Sequence, residues 1–444
     1  MTSTTAQSAT MTGAGMTSET MNRETTTSAQ AAIEKFLIAS DATTAAYFEA
    51  CVHCGECADA CQFYLTTKDP KFTPINKLKP MIKAYKRHKA PLSGLKKLLG
   101  LVPPEVTYDE LKEWAPLVYD SCTMCGRCTV VCPMGIDIAG TIARMREGFV
   151  AAGLAPPGLL YSQKMALETG SPMGVRLKAL KAQIAHQEKQ TGIAIELDKK
   201  GADYMAIFSS MEIMGYPETI GALARIFKQA NVDWTISTKT FEATNIGVQI
   251  GSSDTARTLV QRVVDAAEEL EVKYVISPEC GHAFGALRWS GPNLIGRPYR
   301  FEVIHIIELL DQLRQQGRLR IKDKDARVLT LHDPCQIGRR GGLLREPRQV
   351  IEQASSGFVE LQGGGMANLC CGGGGGVSAN PRAGDLQEKA FACKKAQLKD
   401  IAGLEAIVVP CANCRTVFED GLDEYDMELP TIGLSELVAG QLAD

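Results

Sequence analysis

Most of the fifteen cysteines in this 444-residue chain stand at regular spacings. One array has the pattern C-x2-C-x2-C-x3-C and consists of Cys51, Cys54, Cys57 and Cys61. A second array has the same pattern, precedes Pro133, and consists of Cys122, Cys125, Cys128 and Cys132. Short loops at two-residue gaps turn their thiolates toward one centre, as in ferredoxin-type loops that bind iron–sulfur clusters. The two arrays therefore predict two 4Fe–4S clusters and an electron-carrying protein.

A third set of cysteines is spread over the C-terminal part of the chain: Cys335, the adjacent pair Cys370 and Cys371, and the C-x2-C pair Cys411 and Cys414. Five thiolates exceed the needs of one tetrahedral metal site or one cubane cluster. The excess indicates an irregular cluster with an iron free to engage an external sulfur.

A glycine run follows the adjacent cysteines, and we predict that it contacts the cofactor through Gly372, Gly373 and Gly374. Glycine permits positive φ and lets the backbone approach a bulky sulfide cluster with its amide N–H groups pointed at sulfur. A phosphate-binding loop is the competing interpretation. The run lacks the usual nucleotide-binding patterns, and a cysteine pair has no role in such a loop.

Zinc sites and disulfides are the other ordinary uses of cysteine. Zinc sites use two separated pairs of ligands, not three evenly spaced cysteines with a fourth before proline. Disulfide frameworks suit small secreted domains, whereas this chain is long enough for a large core and its first thirty residues contain no apolar export signal. We therefore expect a reducing, cytoplasmic setting.

Composition excludes further classes. The chain has 45% hydrophobic and 22% charged residues, which is typical of globular proteins, and its formal net charge is -3. This charge argues against nucleic-acid binding. No apolar run is long enough to cross a bilayer.

Local patterns predict an α+β multidomain protein with five parts. A tail over residues 1–30 lacks aromatic side chains and is predicted to be disordered. A mostly helical ferredoxin-like domain with two 4Fe–4S clusters and a basic insert follows at 31–160, then a helical linker at 161–203. Two α/β cysteine-rich-type repeats complete the chain, a degenerate one at 204–317 and an intact one at 318–444.

The basic insert contains nine lysines and arginines and no acidic residue between Pro70 and Pro104. A solvated helix face is the ordinary explanation for such charges. A docking surface for an acidic partner or an anionic membrane is the alternative.

The repeat hypothesis depends on two segments that each contain a short strand, a proline and a polar turn. Aligning Pro278 with Pro410 places Glu279 opposite Cys411 and His282 opposite Cys414. Aligning a second pair of segments places Glu212 opposite Cys335. The first copy would then have kept the scaffold and lost its cysteines. The rival explanation is that any two α/β units look alike at this level.

The third array, with its CCGGGG segment, resembles the cysteine-rich domain of heterodisulfide reductase catalytic subunits. Joined to two ferredoxin motifs, the chain is similar to the fused cytoplasmic iron–sulfur subunit of membrane-bound heterodisulfide reductases, and most of all to the related subunit of the sulfite-reductase-associated membrane complex. The segments that match in style are CVHCGECADACQFYLTTKDPKF, LKEW, CGRCTVVCPMGID and SPECGHA. The resemblance covers about residues 35–444.

The resemblance implies two cubane 4Fe–4S clusters and one noncubane 4Fe–4S cluster, the latter held by the five cysteines of the third array at the catalytic centre. This chain has one complete five-cysteine motif where heterodisulfide reductase proper has two. That departure favours a disulfide or trisulfide on a small sulfur-carrier protein, or a low-molecular-weight disulfide, as the substrate. The implied partner is an integral-membrane cytochrome b-type or quinone-reactive subunit at the inner face of the cytoplasmic membrane.

Two further residues are candidates for catalysis. Cys280 and His282 follow the proline of the degenerate copy, and His282 could donate a proton to a leaving thiolate. The ordinary alternative is a packed cysteine and a hydrogen-bonded structural histidine. For the whole chain, the alternative function is a non-catalytic electron-transfer subunit of a flavin-dependent glycolate, lactate or glycerol-3-phosphate dehydrogenase complex.

Overall fold

The computed structural model describes the backbone of residues 18–443 and the side chains of residues 24–443. The N-terminal part is helical, with helices α1 Ser18–Ala39, α2 Ala42–Ala50, α3 Glu56–Asp59, α4 Gln62–Thr67, α5 Lys79–His88, α6 Ser93–Leu98, α7 Tyr108–Tyr119, α8 Arg127–Val130, α9 Ile138–Ala151, α10 Pro157–Thr169 and α11 Leu177–Thr191. Among the described residues, none of the helices is long and apolar enough to cross a bilayer.

The tail predicted for residues 1–30 is wrong over its second half, because α1 already begins at Ser18. The side chains of Ala29, Ala32 and Phe36 are buried, and Phe36 packs against Phe149 of α9 with ring centroids 5.9 Å apart. The first half of α1 lacks aromatic side chains, but its small apolar residues still form a face that packs against a neighbouring helix. The first seventeen residues of the predicted tail lie outside the described residues.

Helix α9 lies at the centre of the N-terminal part. Asp137 caps its first turn, with the carboxylate accepting a hydrogen bond from the Gly140 N–H. The predicted domain boundary at residue 160 is wrong, because α10 runs through it from Pro157, which occupies the first helical turn.

Three of the nine charges of the basic insert are paired within the protein. Lys71, Lys83 and Arg87 form ion pairs with acidic residues that follow Pro104 along the chain: Glu113, Glu110 and Glu105. Lys77 is buried and donates to the Ser121 carbonyl. Although the insert contains no acidic residue, its surface therefore includes acidic side chains from the segment that follows Pro104.

The first α/β unit follows α11. Its elements are β1 Tyr204–Ala206, α12 Ser210–Met214, α13 Glu218–Gln229, β2 Trp234–Thr235, α14 Ile246–Ile250, α15 Ser253–Glu269, β3 Tyr274–Ser277, α16 Gly281–Phe284, α17 Gly291–Ile295, β4 Glu302–His305 and α18 Ile306–Gln315. The second unit has β5 Leu329–Leu331, α19 Arg345–Ala354, α20 Gly384–Lys399, β6 Ala406–Val408, α21 Ala412–Glu424, β7 Thr431–Ile432 and α22 Leu434–Gly440. One continuous apolar core joins both units.

Each unit contains a parallel sheet, and the two sheets have the same strand order. The first sheet has the order β2-β1-β3-β4, and the second has the order β5-β6-β7. An isolated parallel bridge from Leu329 of β5 to Phe358 lies where β2 lies beside β1 in the first sheet. Counted from the paired strands, Glu279 does lie opposite Cys411, but Ser210, not Glu212, lies opposite Cys335. The alignment of the two sequence segments did not take the register of the paired strands into account. The degenerate repeat stays a prediction, which this likeness supports.

Candidate iron–sulfur centres and the adjoining cavity

The eight cysteines of the two ferredoxin-type arrays form two sets of four, and each set takes one member from the other array. One cavity is lined by Cys51, Cys54, Cys57 and Cys132. The other is lined by Cys61, Cys122, Cys125 and Cys128. The last cysteine of each array has therefore crossed to the other set, which is the arrangement of two-cluster ferredoxins.

The loops that bring three cysteines together depend on left-handed backbone conformations. His53 and Gly55 have φ values of 54° and 90°, and Met124 and Gly126 repeat this with 55° and 77°. Two such residues around one cysteine curl the chain and turn its N–H groups inward, which suits an anionic cluster. Glycine adopts this conformation without strain, which explains its place in both loops.

The five cysteines of the third array come together as a second kind of site. The Cys370 thiol contacts the thiols of Cys335 and Cys371, Cys371 contacts Cys414, and Cys414 contacts Cys411. All five side chains are buried. The structure thus brings these distant residues together, and a connected set of buried thiols is a donor set suited to iron–sulfur chemistry.

The glycine run lies against this set of thiols. The N–H groups of Gly372 and Gly373 donate to the sulfurs of Cys370 and Cys371, each at 3.4 Å. Gly372 has a φ of 106°, and a Cβ on Gly373 would clash with both Ser378 and Val417. The glycines therefore provide N–H donors to sulfur in a space that larger residues would not fit.

Two buried basic side chains adjoin the five thiols. One ring nitrogen of His332 and the sulfurs of Cys371 and Cys414 lie within 4.8 Å of one another, and the His332 Nε2 has no hydrogen-bond partner among the described residues. The Lys394 ammonium donates to the Asn368 side chain at 2.8 Å, and burial lowers the pKa of Lys394 to about 7. Lys394 was not singled out from the sequence. Its position among the buried residues of α20 was the available signal.

The second ferredoxin-type set directly touches the five-thiol set. The thiols of Cys125 and Cys370 are in contact, and the Cys370 thiol donates to the Thr123 hydroxyl at 3.3 Å. The Gln336 amide of the second unit donates to the Met124 carbonyl at 2.8 Å. This hydrogen bond attaches the loop that contains Cys125 to the second unit. A cluster in each set would therefore have its neighbour within a few bond lengths.

A cavity of about 670 Å³ is lined by glycines of the run that contacts the five thiols. Its inner wall includes Cys280, His282 and Gly373, while Tyr161 and Met173 line it with largely exposed side chains. The volume is in the range of small-molecule sites. We call it the large cavity.

Both sequence-predicted candidates beside the array line this cavity. Cys280 lies next to Cys411, and burial raises the pKa of its thiol. The Gly375 N–H donates to the His282 Nε2 at 3.1 Å, and burial together with Arg146 lowers the pKa of His282 to about 4. His282 is therefore a neutral ring at neutral pH whose Nδ1 carries the hydrogen, so it offers a hydrogen bond but not an imidazolium proton.

Arg146 joins the N-terminal part to both α/β units and was missed in the sequence. The side chain is fully buried and donates to the carbonyls of Val118, Cys122, Gln249 and Gly375. No local pattern identifies such a residue, because it lies on α9 between the buried apolar residues Met145 and Phe149. It fixes the Cys122 loop relative to the glycine run.

Three buried carboxyl groups lie at the strand ends of the first unit. Burial raises the pKa of Glu212 to about 8 and that of Glu242 and Glu279 to about 7. Glu279 accepts from the Ser435 N–H at 2.8 Å, and Glu212 accepts from the Glu279 N–H at 3.0 Å. Glu242 was not singled out in the sequence.

Comparison with known proteins agrees with these two kinds of site. Residues 47–136 match the family model of a 4Fe–4S dicluster domain, and residues 329–419 match that of a cysteine-rich domain named CCG. Both matched segments include the cysteines described above. Iron–sulfur clusters are thus the cofactors of this chain.

Several curated proteins are similar over most of the chain. The Hdr-like menaquinol oxidoreductase iron–sulfur subunit 2 of Archaeoglobus fulgidus is 26% identical over 89% of this chain and 80% of its own length. One of the subunits of the dihydromethanophenazine:CoB–CoM heterodisulfide reductase of Methanosarcina barkeri is 28% identical over 89% of this chain and 94% of its own length. The EtfAB:quinone oxidoreductase of Syntrophomonas wolfei is 26% identical over 86% of this chain and 56% of its own length.

Proposed function

We propose that this heterodisulfide reductase-like iron–sulfur subunit carries electrons to or from a third centre where a disulfide or trisulfide is cleaved or formed. The observation that carries the proposal is the large cavity, which ends at Cys280, His282 and the glycine run beside the five thiols. A subunit that only relays electrons needs no cavity of this size at a buried centre.

Three clusters account for thirteen cysteines. One cubane 4Fe–4S cluster is held by Cys51, Cys54, Cys57 and Cys132, and the other by Cys61, Cys122, Cys125 and Cys128. The noncubane cluster is held by Cys335, Cys370, Cys371, Cys411 and Cys414. The donor sets support this assignment, because they are rich in thiols and the third is buried and supplied with N–H groups directed at sulfur.

When bound, the noncubane cluster supplies an iron that can hold a thiolate between two one-electron deliveries. The chain's own residues prepare that site. Lys394 offsets negative charge beside the five thiols. Burial lowers the pKa of His332, which lies there as a neutral ring, and the large cavity presents the sulfur substrate next to Cys280. The neutral His282 donates a hydrogen bond from Nδ1 that orients the substrate or stabilises a departing sulfur.

The overall reaction balances with two electrons and two protons for each disulfide. The S–S bond breaks, each sulfur gains one electron and one proton, and two thiols result. The two cubane clusters held by the ferredoxin-type cysteines would supply one-electron transfer between this centre and a quinone-reactive or cytochrome b-type membrane subunit. The substrate is a disulfide or trisulfide on a small sulfur-carrier protein, or a low-molecular-weight disulfide, and the direction depends on the relative potentials.

An exposed group of leucines offers a surface for the membrane subunit and supports a position of this chain at the inner face of the cytoplasmic membrane. The leucine patch consists of Leu92, Leu95, Leu98, Leu99 and Leu101, each more than half exposed. Exposed apolar patches of this kind mark interaction sites. The occupant that fits is an apolar surface with anionic groups at its edge, because Lys96 and Lys97 lie within the patch.

Replacing two members of the leucine patch should release the chain from its membrane partner. The double variant Leu95→Asp/Leu98→Asp should keep its iron, because both side chains are exposed, yet no longer co-purify with membranes from the native host. Met214→Asp changes a similarly exposed apolar side chain elsewhere and should remain bound. Undiminished membrane association of the double variant would exclude the patch.

The crossed cysteine sets predict an unusual pattern of iron loss. Cys132→Ala combined with Cys54→Ala should lose about four iron atoms per chain, since both residues serve one cluster. Cys132→Ala combined with Cys125→Ala should lose about eight, although these two cysteines are neighbours in sequence. Iron analysis and electron paramagnetic resonance of the reduced proteins would detect the difference, and the reverse pattern would contradict the crossing.

A non-catalytic relay for a flavin enzyme is the second candidate, favoured by the similarity to the EtfAB:quinone oxidoreductase. One experiment separates the two. Anaerobically reconstituted full-length protein is supplied with reduced viologen and with low-molecular-weight disulfides or an organic trisulfide. The proposed function requires viologen oxidation that depends on the sulfur substrate and yields free thiols. A relay would show cluster reduction without thiol release.

A further inference from the structure

A second cavity lies behind the large cavity, and one buried carboxyl group separates the two. This small cavity has a volume of about 220 Å³ and is lined on its outer side by Glu168, Lys239 and Arg262. Glu242 and Thr244 form part of its inner wall, and Thr244 also lines the large cavity. At roughly 30 Å³ per water molecule, the small cavity has room for several waters.

The hydrogen bonds of Glu242 point toward the large cavity. Its Oε1 accepts from both the N–H and the hydroxyl of Ser210, each at 3.1 Å, and its Oε2 accepts from the Thr244 N–H at 3.0 Å. Ser210 lines the large cavity, and its hydroxyl also contacts that of Ser171 at 2.7 Å. A hydroxyl that can both accept and donate thus links Glu242 to the large cavity.

A purely structural role does not account for a carboxyl group here. The Ser209–Glu212 capping box already begins α12, so Glu242 is not needed as its cap. Among the described residues, no lysine, arginine or histidine forms an ion pair with Glu242, which is only 5% exposed. Burial of an acid without a cation is unfavourable, so a carboxyl group that serves only to accept hydrogen bonds is a costly choice at this position.

Cleavage of a disulfide creates a need for protons at the buried end of the large cavity. Two protons are consumed for each S–S bond, and His282 is neutral and held by the Gly375 N–H, so it is a weak source. Cys280 lies within the electrostatic reach of both Glu242 and Glu212 on this side.

We propose that Glu242 is the proton-transfer residue that connects water in the small cavity with the sulfur substrate in the large cavity. This inference rests on the proposed function. For each disulfide, Glu242 passes two protons in succession through the Ser210 hydroxyl to the two sulfurs and regains each from water in the small cavity. The two electrons come from the reduced viologen or membrane subunit named above, so atoms and charges balance.

The charged groups around Glu242 are compatible with proton binding and release by its carboxyl group near neutral pH. Lys239, Glu168 and Arg262 face it across the small cavity, and Lys239 is paired with Glu269 at 2.5 Å. Burial raises the pKa of Glu242 to about 7, while the hydrogen bonds from Thr244 and Ser210 oppose the rise. A carboxyl group in this range both binds and releases a proton.

The test compares Glu242→Gln with wild-type full-length holoprotein in viologen-driven disulfide reduction. We expect kcat to fall on the order of 10²-fold with KM nearly unchanged, because Glu242 transfers protons without holding the substrate. Iron content and cluster reduction by dithionite should be retained. Ser210→Ala should slow kcat in the same direction, which keeps the test valid if Glu242→Gln fails to fold. Asp265→Asn, on the exposed face of α15, is the control and should behave as wild type.

A readout without substrate comes from infrared spectroscopy. The buried Glu212 and Glu279 also contribute protonated carboxyl bands, so the measurement is the difference spectrum between wild type and Glu242→Gln. This difference should contain one carboxyl band that shifts in heavy water and titrates near neutral pH. Equal turnover and equal bands in both proteins would overturn the proton-transfer role alone. A wild-type protein that never releases thiols from any disulfide or trisulfide would overturn the proposed function, and the role of Glu242 with it.

Discussion

Cys371→Ala should abolish disulfide turnover and leave both ferredoxin-type clusters loaded. Cys371 connects Cys370 with Cys414 inside the five-thiol set, so its loss divides the donor set of the third cluster. The other two sets contain only residues between Cys51 and Cys132 and keep all their ligands. We expect about eight iron atoms per chain instead of about twelve, with no thiol release above background.

The matched control is Cys393→Ala, which removes a half-buried cysteine on α20 that belongs to none of the three sets. It should retain full iron and turnover. In spectroscopy, the signals of the two reduced cubane clusters should survive in Cys371→Ala, while the signal of oxidised wild-type protein with added thiol disappears. Disulfide turnover at the wild-type rate in Cys371→Ala would refute catalysis at the third centre and favour the relay.

Arg146→Met should strongly destabilise the folded protein, because Arg146 joins the N-terminal part to both α/β units. The change leaves the buried carbonyls of Val118, Cys122, Gln249 and Gly375 without their donor. Each buried polar group that loses its partner costs about 1–3 kcal/mol, so a total on the order of 4 kcal/mol is expected after relaxation. The thermal unfolding midpoint of the anaerobic holoprotein should fall accordingly.

Arg144→Met provides the control, because Arg144 lies on the same helix but is partly exposed and paired with Asp41. Its effect should stay below about 1 kcal/mol. Hydrogen exchange adds local information, since Arg146→Met should speed exchange in the Cys122 loop and in the glycine run together. Similar midpoints for the two variants would show that Arg146 does not join the three parts.

Local chemistry made part of this structure predictable. The ferredoxin-type loops and the four strands that begin near residues 204, 274, 328 and 406 follow from spacing and from short apolar runs. The Asp137 cap of α9 follows from the same kind of local evidence. Each of these features is decided within a few residues of chain.

The remainder depends on which distant segments meet. The exchange of Cys61 and Cys132 between sets, the contact of Cys125 with Cys370 and the position of Lys394 beside the third array involve partners far apart in sequence. The strands β2 and β7 contain only two residues each, too few for an alternating pattern to be visible. The ion pairs of the insert were hidden because their acids follow Pro104.

The common strand order of the two sheets is what a degenerate repeat would produce, and such a repeat would divide the work of a reduction between its two copies. At matching turns, one half presents Cys411 and the other presents Glu279. Thiolates suit the handling of electrons through iron, and buried carboxyls suit the handling of protons. A duplicated scaffold whose copies diverged in this way could deliver both ingredients of a reduction to a single crevice, each from its own side.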